Sequence, residues 1–386
     1  MFVSPCIRAT PRHVSGVTSD TFQSVETPAL LVDLDRMTRN LDRAAAYAKQ
    51  HDLALRPHVK THKSARLAQE QLRRGAAGLT CATPREAEVM SSVGNDLLLA
   101  YPPVGRLRAE RIARLPKNVR LTVALDSADA IRGASDAASA AGRTIHVTVE
   151  LDVGMHRVGL PNIDEAIALG RLVNAAPALA FEGITCYPGH VRGAVDTQDE
   201  ALAQLSRALD EAVERFTAAG LAPRVVSAGS TPTMWRTHEV AAVTEMRPGT
   251  YIFNDRTTAA IGACDWDDCA LTVLATVVST AVPGQAVIDA GTKSLGREPL
   301  RSGDARSSKS DEGFGALLDH PEVRVAAMSE EHGMLDLSGS DWAPRVGDLV
   351  RVVPNHVCIV VHLFDRVIGL RGDQVETNWN VDARGR

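Results

Sequence analysis

The chain of 386 residues lacks three features that would have narrowed its class at once. Its six scattered cysteines include no CxxC pair, which argues against a zinc ribbon and against a disulfide framework. No apolar run approaches the ~18 residues of a membrane span, and the N-terminus has no apolar signal-like core. Basic charge is not in excess, because the formal net charge is -5. We therefore expect a cytoplasmic protein with a small-molecule partner, and neither nucleic acid nor membrane as a partner.

Short apolar runs alternate with Ala-rich segments of helical spacing between residues 28 and 255. The runs are LALRPHV, GLTCAT, DLLLAY, RLTVALD, IHVTVELDV, FEGITCY, RVVSAGS and EMRPGTYIF. This pattern predicts a parallel (β/α)8 barrel of the TIM type, and a doubly wound sheet remains an alternative. After residue 258, apolar stretches between Gly, Pro and Asp turns predict a smaller antiparallel β domain. We divide the chain into a segment 1–24 that packs with the β domain, a barrel at 25–257 and a β domain at 258–386.

The first run ends in RPHVKTHKS, which places Lys60 at the end of a predicted strand. Barrel enzymes build their active sites from these strand ends and the loops that follow. A lysine that is partly desolvated among other cations, here Arg56 and two histidines, has a lowered amine pKa, which favours Schiff-base chemistry. The alternative is that Lys60 and its neighbour Lys63 are ordinary charges on a loop.

Three more strand ends carry residues suited to an active site. The seventh run ends in SAGSTPT at 227–233, a turn of small residues whose N–H groups and hydroxyls suit a phosphate. The fifth and sixth runs end in DVGMHRVG and CYPGH, which place Arg157, Tyr187 and His190 at the same rim. An arginine can hold a phenolate or carboxylate, a tyrosine ring can pack on a planar ligand, and histidine titrates near neutrality. Each is more often structural when alone, but together they indicate an active site.

The second domain contains VPNHVCIVVH, in which His356 and Cys358 lie two residues apart on a predicted apolar strand. Their side chains would then face the same side. Imidazole and thiolate together favour Zn²⁺ over Mg²⁺ or Ca²⁺, and two ligands leave room for water and a substrate oxygen. The alternative, which is commoner for an isolated HxC, is a buried cysteine beside a histidine whose hydrogen bonds are made within the protein.

Together these motifs resemble those of pyridoxal-phosphate (PLP) enzymes of the alanine racemase fold, in the branch of D-threonine aldolases and D-serine dehydratases. TPALLVDLDRMTRNL, RPHVKTHKS, GSTPT, RPGTYIFND, DAGTKS, SEEHG and PNHVC occur in family order across most of the chain. The resemblance implies that Lys60 forms the internal aldimine with PLP, that Arg157 hydrogen-bonds the phenolic oxygen, and that Tyr187 lies in the pocket. It assigns the phosphate to Gly229, Ser230, Thr231 and Tyr251. It also implies a head-to-tail homodimer with active sites between a barrel and a β domain.

The resemblance implies two competing reactions. An aldolase would split D-threonine-like amino acids into glycine and an aldehyde. A Zn²⁺ or Mn²⁺ ion at His356 and Cys358 would bind the β-hydroxyl, and His190 would remove its proton directly or through water. A dehydratase of D-serine or 3-hydroxyaspartate would use Lys60 to remove the α-proton, with the metal polarising the hydroxyl as a leaving group.

Two motifs favour different reactions. A cysteine at the second metal position is typical of the dehydratases, whereas YPGH with its histidine is typical of the aldolases. We favour the aldolase, because retro-aldol cleavage requires a base. A non-catalytic PLP carrier would have no use for His356 and Cys358, and an amino-acid racemase would need a second acid/base group for which the sequence shows no clear candidate.

Overall fold

The computed structural model of the chain describes residues 21–300 and 312–385. Within these ranges the strands form one sheet of eight and one sheet of nine. The strands are β1 Ala29–Asp33, β2 Ala54–Leu55, β3 Leu79–Cys81, β4 Asp96–Leu99, β5 Arg120–Leu125, β6 Ile145–Leu151, β7 Leu179–Cys186, β8 Val225–Ala228, β9 Glu245–Met246, β10 Leu271–Ser279, β11 Gln285–Ile288, β12 Gly315–Leu317, β13 Arg324–Met328, β14 Gly333–Asp336, β15 Leu349–Pro354, β16 Arg366–Arg371 and β17 Gln374–Asn380. The helices are α1 Leu34–Gln50, α2 Ala65–Arg73, α3 Pro84–Met90, α4 Arg106–Ala113, α5 Ala128–Ala141, α6 Ile163–Ala175, α7 Asp199–Ala218, α8 Arg256–Ala260, α9 Thr292–Leu295 and α10 Val357–Leu363.

The eight-stranded sheet is a parallel barrel. Its order runs β2-β9-β8-β7-β6-β5-β4-β3. A parallel bridge between His58 and Thr80 joins the first and last strands of this order, and the backbone N–H of Thr80 donates to the carbonyl of Pro57 at 2.8 Å. The sheet therefore closes on itself, which distinguishes it from a doubly wound sheet. The predicted barrel with an antiparallel β domain is confirmed.

Helix α1 shows how the Ala-rich segments become the outer layer of the barrel. Asp33 caps its N-terminus, accepting hydrogen bonds from the backbone N–H groups of Asp35 and Arg36 at 2.9 Å each. The side chains that it buries recur at helical spacing and are Leu34, Met37, Asn40, Leu41, Ala44 and Ala48. No helix in the described ranges is long and apolar enough to cross a membrane.

Strand β1 lies in the nine-stranded sheet, although the predicted barrel began at residue 25. It pairs antiparallel with β10 and parallel with β16. A buried run such as ALLVD suits either sheet, and only its hydrogen-bonding partners decide between them. The described end of the N-terminal segment also contacts this sheet, since the backbone N–H of Phe22 donates to the carbonyl of Asp373 at 3.0 Å. The rest of the predicted segment, residues 1–20, lies outside the described residues.

Candidate functional site

A cavity of about 290 Å³ lies at the carboxyl ends of the barrel strands. Of the residues predicted from the sequence, its lining includes Lys60, Arg157, Tyr187, Gly229, Ser230, Thr231, His356 and Cys358. The last two come from the segment between β15 and β16, so both parts of the chain contribute to one cavity. The strand-end rule therefore located the cavity, and the distant HxC motif lies in its wall.

Lys60 is the lysine available for chemistry. It lies in a 3₁₀ turn, Val59–Thr61, that follows β2. In the described ranges no carboxylate pairs with Lys60, whereas Lys63 is buried and donates to Oε1 of Glu86 at 2.5 Å. Burial and the charge of Lys60 hold the pKa of His58 well below its usual range, so this neighbouring imidazole is neutral. The cluster RPHVKTHK thus contains one paired lysine and one free amine.

Tyr187 lies in the cavity lining between two cations. The guanidinium carbon of Arg157 lies 4.7 Å from the centre of the Tyr187 ring, and Nζ of Lys60 lies 5.9 Å from it. A Cβ atom at Gly189 would lie 2.1 Å from Cε1 of that ring, so only glycine leaves room for it there. Gly189 of the YPGH motif therefore allows the tyrosine ring to take this position.

The turn after β8, which was predicted to hold a phosphate, lies in the lining of the cavity. Gly229 adopts a φ of 89°, which favours glycine. Ser230 and Thr231 follow it in the lining, and Gly249 and Thr250 lie beside them.

Tyr251 does not line this cavity. Its side chain is buried and accepts a hydrogen bond from Nε2 of Gln71 at 3.0 Å, while its backbone N–H donates to the hydroxyl of Thr231. The family resemblance assigned Tyr251 to the phosphate, and that role stays a prediction. In this structure the tyrosine side chain is buried outside the cavity lining, and its backbone N–H holds the hydroxyl of Thr231.

His190 lies beside the cavity and is absent from its lining. Its ring packs against Gly154, where a Cβ atom would lie 3.1 Å from Nε2. Its buried Nδ1 has no hydrogen-bond partner in the described structure. Burial lowers the pKa of His190, and the Asp152 carboxylate opposes that change. Of the two predicted routes for a base, direct or through water, this placement supports only the second.

The HxC pair is built differently from the prediction. Strand β15 ends at Pro354, and His356 is the residue before helix α10. The apolar residues Val357, Val360 and Val361 are buried at helical spacing, so the pattern that suggested a strand also fits a helix. Asp255 favours the helix over the strand, because its Oδ2 accepts the N–H of Val357 at 3.2 Å in the first turn of the helix.

The same carboxylate orients the histidine. Oδ2 of Asp255 lies 3.0 Å from Nδ1 of His356, which leaves Nε2 for a metal, the usual carboxylate–histidine arrangement of metal sites. Burial alone would raise the pKa of the Cys358 thiol, but His356 and Lys60 outweigh burial and lower it to about 7. In the described ranges no third His, Cys, Asp or Glu completes a metal-binding group.

Four charged residues of the lining were not among the predicted site residues: Glu150, Arg192, Arg247 and Asp255. Arg247 is buried and donates to the hydroxyl of Ser227 at 2.6 Å and to the carbonyl of Cys186 at 2.8 Å. Glu150 is 3% exposed, and its Oε2 has no partner in the described structure. Glu150 lies one residue before the end of β6 and Arg247 directly follows β9, so the strand-end rule, applied to the observed strands, includes both.

The residues present fit PLP. The amine of Lys60 suits the aldehyde of that cofactor, Arg157, which forms no ion pair in the described ranges, suits its phenolic oxygen, and the small-residue turn suits its phosphate. The orphaned Oε2 of Glu150 also indicates that a ligand completes the cavity. His356 and Cys358 fit a soft divalent ion such as Zn²⁺, with positions left for substrate oxygens.

Comparisons with known proteins agree with this geometry. The family model "Alanine racemase, N-terminal domain" matches residues 32–257, and "Putative serine dehydratase domain" matches residues 270–370. A D-threonine aldolase of Arthrobacter sp is 30% identical, covering 95% of this chain and 94% of its own. A D-threo-3-hydroxyaspartate dehydratase of Delftia sp. is 33% identical, covering 93% and 98%.

Solved structures match over the same length. The crystal structure of D-threonine aldolase from Filomicrobium marinum has a TM-score of 0.86 and 33% identity, and covers 97% of this chain and 99% of its own. A D-threo-3-hydroxyaspartate dehydratase has a TM-score of 0.83. Its solved forms include a histidine-to-alanine mutant and a metal-free cysteine-to-alanine mutant, with the two mutated positions two residues apart. The chain belongs to the PLP-dependent lyases of the alanine racemase fold, in the D-threonine aldolase and D-serine dehydratase family.

Proposed function

We propose that the protein is a PLP- and divalent-metal-dependent aldolase that cleaves D-β-hydroxy-α-amino acids, D-threonine among them, to glycine and an aldehyde. One observation carries the proposal: the amine of Lys60 and the His356–Cys358 pair line the same cavity. A substrate joined to the cofactor at its α-amine can therefore present its β-hydroxyl to the metal pair.

Each protein group has a stated task in this proposal. Lys60 anchors the cofactor, Arg157 binds its phenolic oxygen, and the turn at Gly229 holds the phosphate. PLP when bound supplies the electron sink for cleavage at the α-carbon. His356 and Cys358 would hold the metal ion, which would supply a Lewis acid for the β-hydroxyl. His190, neutral because burial lowers its pKa, accepts the hydroxyl proton through a water.

A dehydratase that acts on D-serine or 3-hydroxyaspartate is the second candidate, and the HxC pair favours it. The dehydratase with metal-site mutants has its histidine and cysteine at the same spacing as His356 and Cys358. In this reaction Lys60 takes the α-proton, and the hydroxyl leaves instead of being deprotonated. His190 then has no part in the reaction.

The products decide between the two reactions. We would incubate the purified protein with PLP and Zn²⁺ or Mn²⁺, separately on D-threonine, D-serine and 3-hydroxy-D-aspartate, and identify products by mass spectrometry. Glycine with an aldehyde, abolished by a chelator, supports the aldolase. Ammonia with a 2-oxo acid supports the dehydratase and contradicts the primary proposal.

Two variants assign the roles. His190→Ala should abolish cleavage while PLP remains bound, and a dehydratase would keep its activity. His356→Ala should lose metal and turnover while it keeps the PLP absorbance. An active, metal-free His356→Ala variant would contradict the metal site under either reaction.

The homodimer and the cytoplasmic location rest on the family resemblance and on composition, and we propose both on those grounds. Light scattering of the purified protein gives its mass in solution. A mass of one chain at all concentrations would contradict the dimer.

A further inference from the structure

Arg192 is a cation in the cavity lining that lacks an acidic partner. It lies in the loop after β7. Its Nε donates to the carbonyl of Gly189 at 3.0 Å, and its Nη2 has only the sulfur of Met155, at 3.9 Å. In residues 21–300 and 312–385 no carboxylate forms an ion pair with it. By contrast, the buried Arg56 inside the barrel is paired with two carboxylates.

The loop that carries Arg192 is held in place over the cavity. The buried side chain of Gln198 donates to the carbonyls of Gly193 at 3.0 Å and Pro232 at 3.1 Å. The backbone N–H of Val195 donates to the carbonyl of Ile261 at 2.9 Å. With the backbone fixed and Nε occupied, the two terminal nitrogens of Arg192 remain for a ligand. A guanidinium that offers two such nitrogens suits a carboxylate, which it can bind through two parallel hydrogen bonds.

The other negative groups expected in this cavity have receptors of their own. The phosphate belongs to the turn at Gly229, and the phenolic oxygen belongs to Arg157. A metal ion held by two protein ligands has further positions, which the β-hydroxyl and the α-carboxylate of one substrate molecule can both fill. The group left for Arg192 is therefore the substituent on Cβ.

We propose that Arg192 binds a carboxylate carried on Cβ, so that the enzyme prefers 3-hydroxy-D-aspartate and similar dicarboxylates to D-threonine. This inference rests on the proposed function for its substrate class. A methyl group at the same place would desolvate the guanidinium without pairing it, so the site discriminates against D-threonine.

The test compares kcat/KM for 3-hydroxy-D-aspartate and D-threonine in the wild-type holoenzyme and in Arg192→Gln. We expect the variant to lose about 10²-fold on the dicarboxylate, the size of a lost charge-assisted hydrogen bond, and to stay within about 3-fold on D-threonine. Arg192→Lys should keep part of the preference. Arg114→Gln is the matched control, because this side chain is 74% exposed and pairs with Glu110 on the outer surface.

A binding measurement separates this inference from the proposed function. D-aspartate and D-alanine differ only by the carboxylate on Cβ and lack the hydroxyl, so calorimetry reports their affinity without turnover. Tighter binding of D-aspartate that Arg192→Gln abolishes supports the site, even if neither hydroxy amino acid is cleaved. Equal losses on both substrates would assign Arg192 to the α-carboxylate and overturn the inference. Unchanged preference and unchanged D-aspartate affinity would overturn it as well.

Discussion

The two ends of the barrel interior use charge in opposite ways. Below the cavity, Nε of Arg56 lies 2.6 Å from Glu245 and its Nη1 lies 2.7 Å from Asp96. Nearby, Arg120 lies 2.7 Å from Glu182. At the mouth, the lining side chains Lys60, Arg157, Arg192 and Glu150 form no ion pair within the described ranges. Buried charges that are paired internally hold the fold, and charges left unpaired in a cavity are available to a ligand.

Arg247 connects the two ends. It lines the cavity and donates to Ser227, whose hydroxyl donates to Oε1 of Glu245 at 2.5 Å. Glu245 is in turn the partner of Arg56. The paired end therefore holds one wall of the site in place, which is what a preorganised active site requires.

The largest effect should come from an unpaired cation at the mouth. Lys60→Ala removes the anchoring amine, so we expect turnover to fall by about 10⁴-fold or more. The absorbance near ~420 nm that a protonated PLP Schiff base shows should also disappear. The free energy of unfolding should hardly change, because Lys60 forms no ion pair among the residues that the structure describes. An absorption spectrum reports the cofactor linkage, and a urea titration reports the free energy of unfolding. A destabilised Lys60→Ala variant that keeps its chromophore would contradict the distinction between unpaired cations at the mouth and paired cations below it.

A substitution at Lys63, three residues after Lys60, should lower stability and leave the PLP absorbance intact. Lys63→Met leaves the buried Glu86 without its cationic partner, so the free energy of unfolding should fall by about 3 kcal/mol. The PLP absorbance should persist in the folded protein, because Lys63 does not line the cavity. Urea unfolding of Lys63→Met, measured in parallel with Lys60→Ala, gives the two free energies of unfolding. Loss of the chromophore from a fully stable Lys63 variant would mean that the two lysines have been assigned the wrong way round.

A pH-dependent effect of at most the same size should come from Glu150. Burial raises its pKa from 4.5 to about 7, against the opposing charges of Arg247 and Arg157. Below pH 4.5 the carboxyl is protonated whether the chain is folded or unfolded, so it does not affect stability. Between pH 4.5 and about 7 the unfolded chain releases the proton first, and the free energy of unfolding falls by up to about 3 kcal/mol.

Glu150→Gln should remove this loss. The variant should be more stable than the wild type at about pH 8 by up to about 3 kcal/mol, and nearly equal to it at about pH 4. Urea unfolding of the PLP-free protein at the two pH values measures the difference. An equal effect at both would show that Glu150 acts through packing instead of charge.

Local sequence patterns predicted the barrel, the strand ends and eight residues of the lining, because these depend on hydrophobic period and turn residues. They did not predict that β1, which lies within the span given to the barrel, pairs in the nine-stranded sheet, because a buried run does not encode its pairing partner. They also predicted a strand at His356, where the cap from Asp255 produces a helix. For Tyr251, likewise, the motif did not reveal that the side chain is buried and accepts a hydrogen bond from Gln71.

By itself the sequence determined the fold class, the position of Lys60 at a strand end and the HxC pair, since period and spacing are properties of neighbouring residues. Only the tertiary structure decided which charges are free. Glu86 pairs with Lys63 from 23 residues away, and Asp255 orients His356 from 101 residues away. Whether a cation is paired or open to a ligand depends on such distant partners, because electrostatic interactions follow distance in space and not separation along the chain.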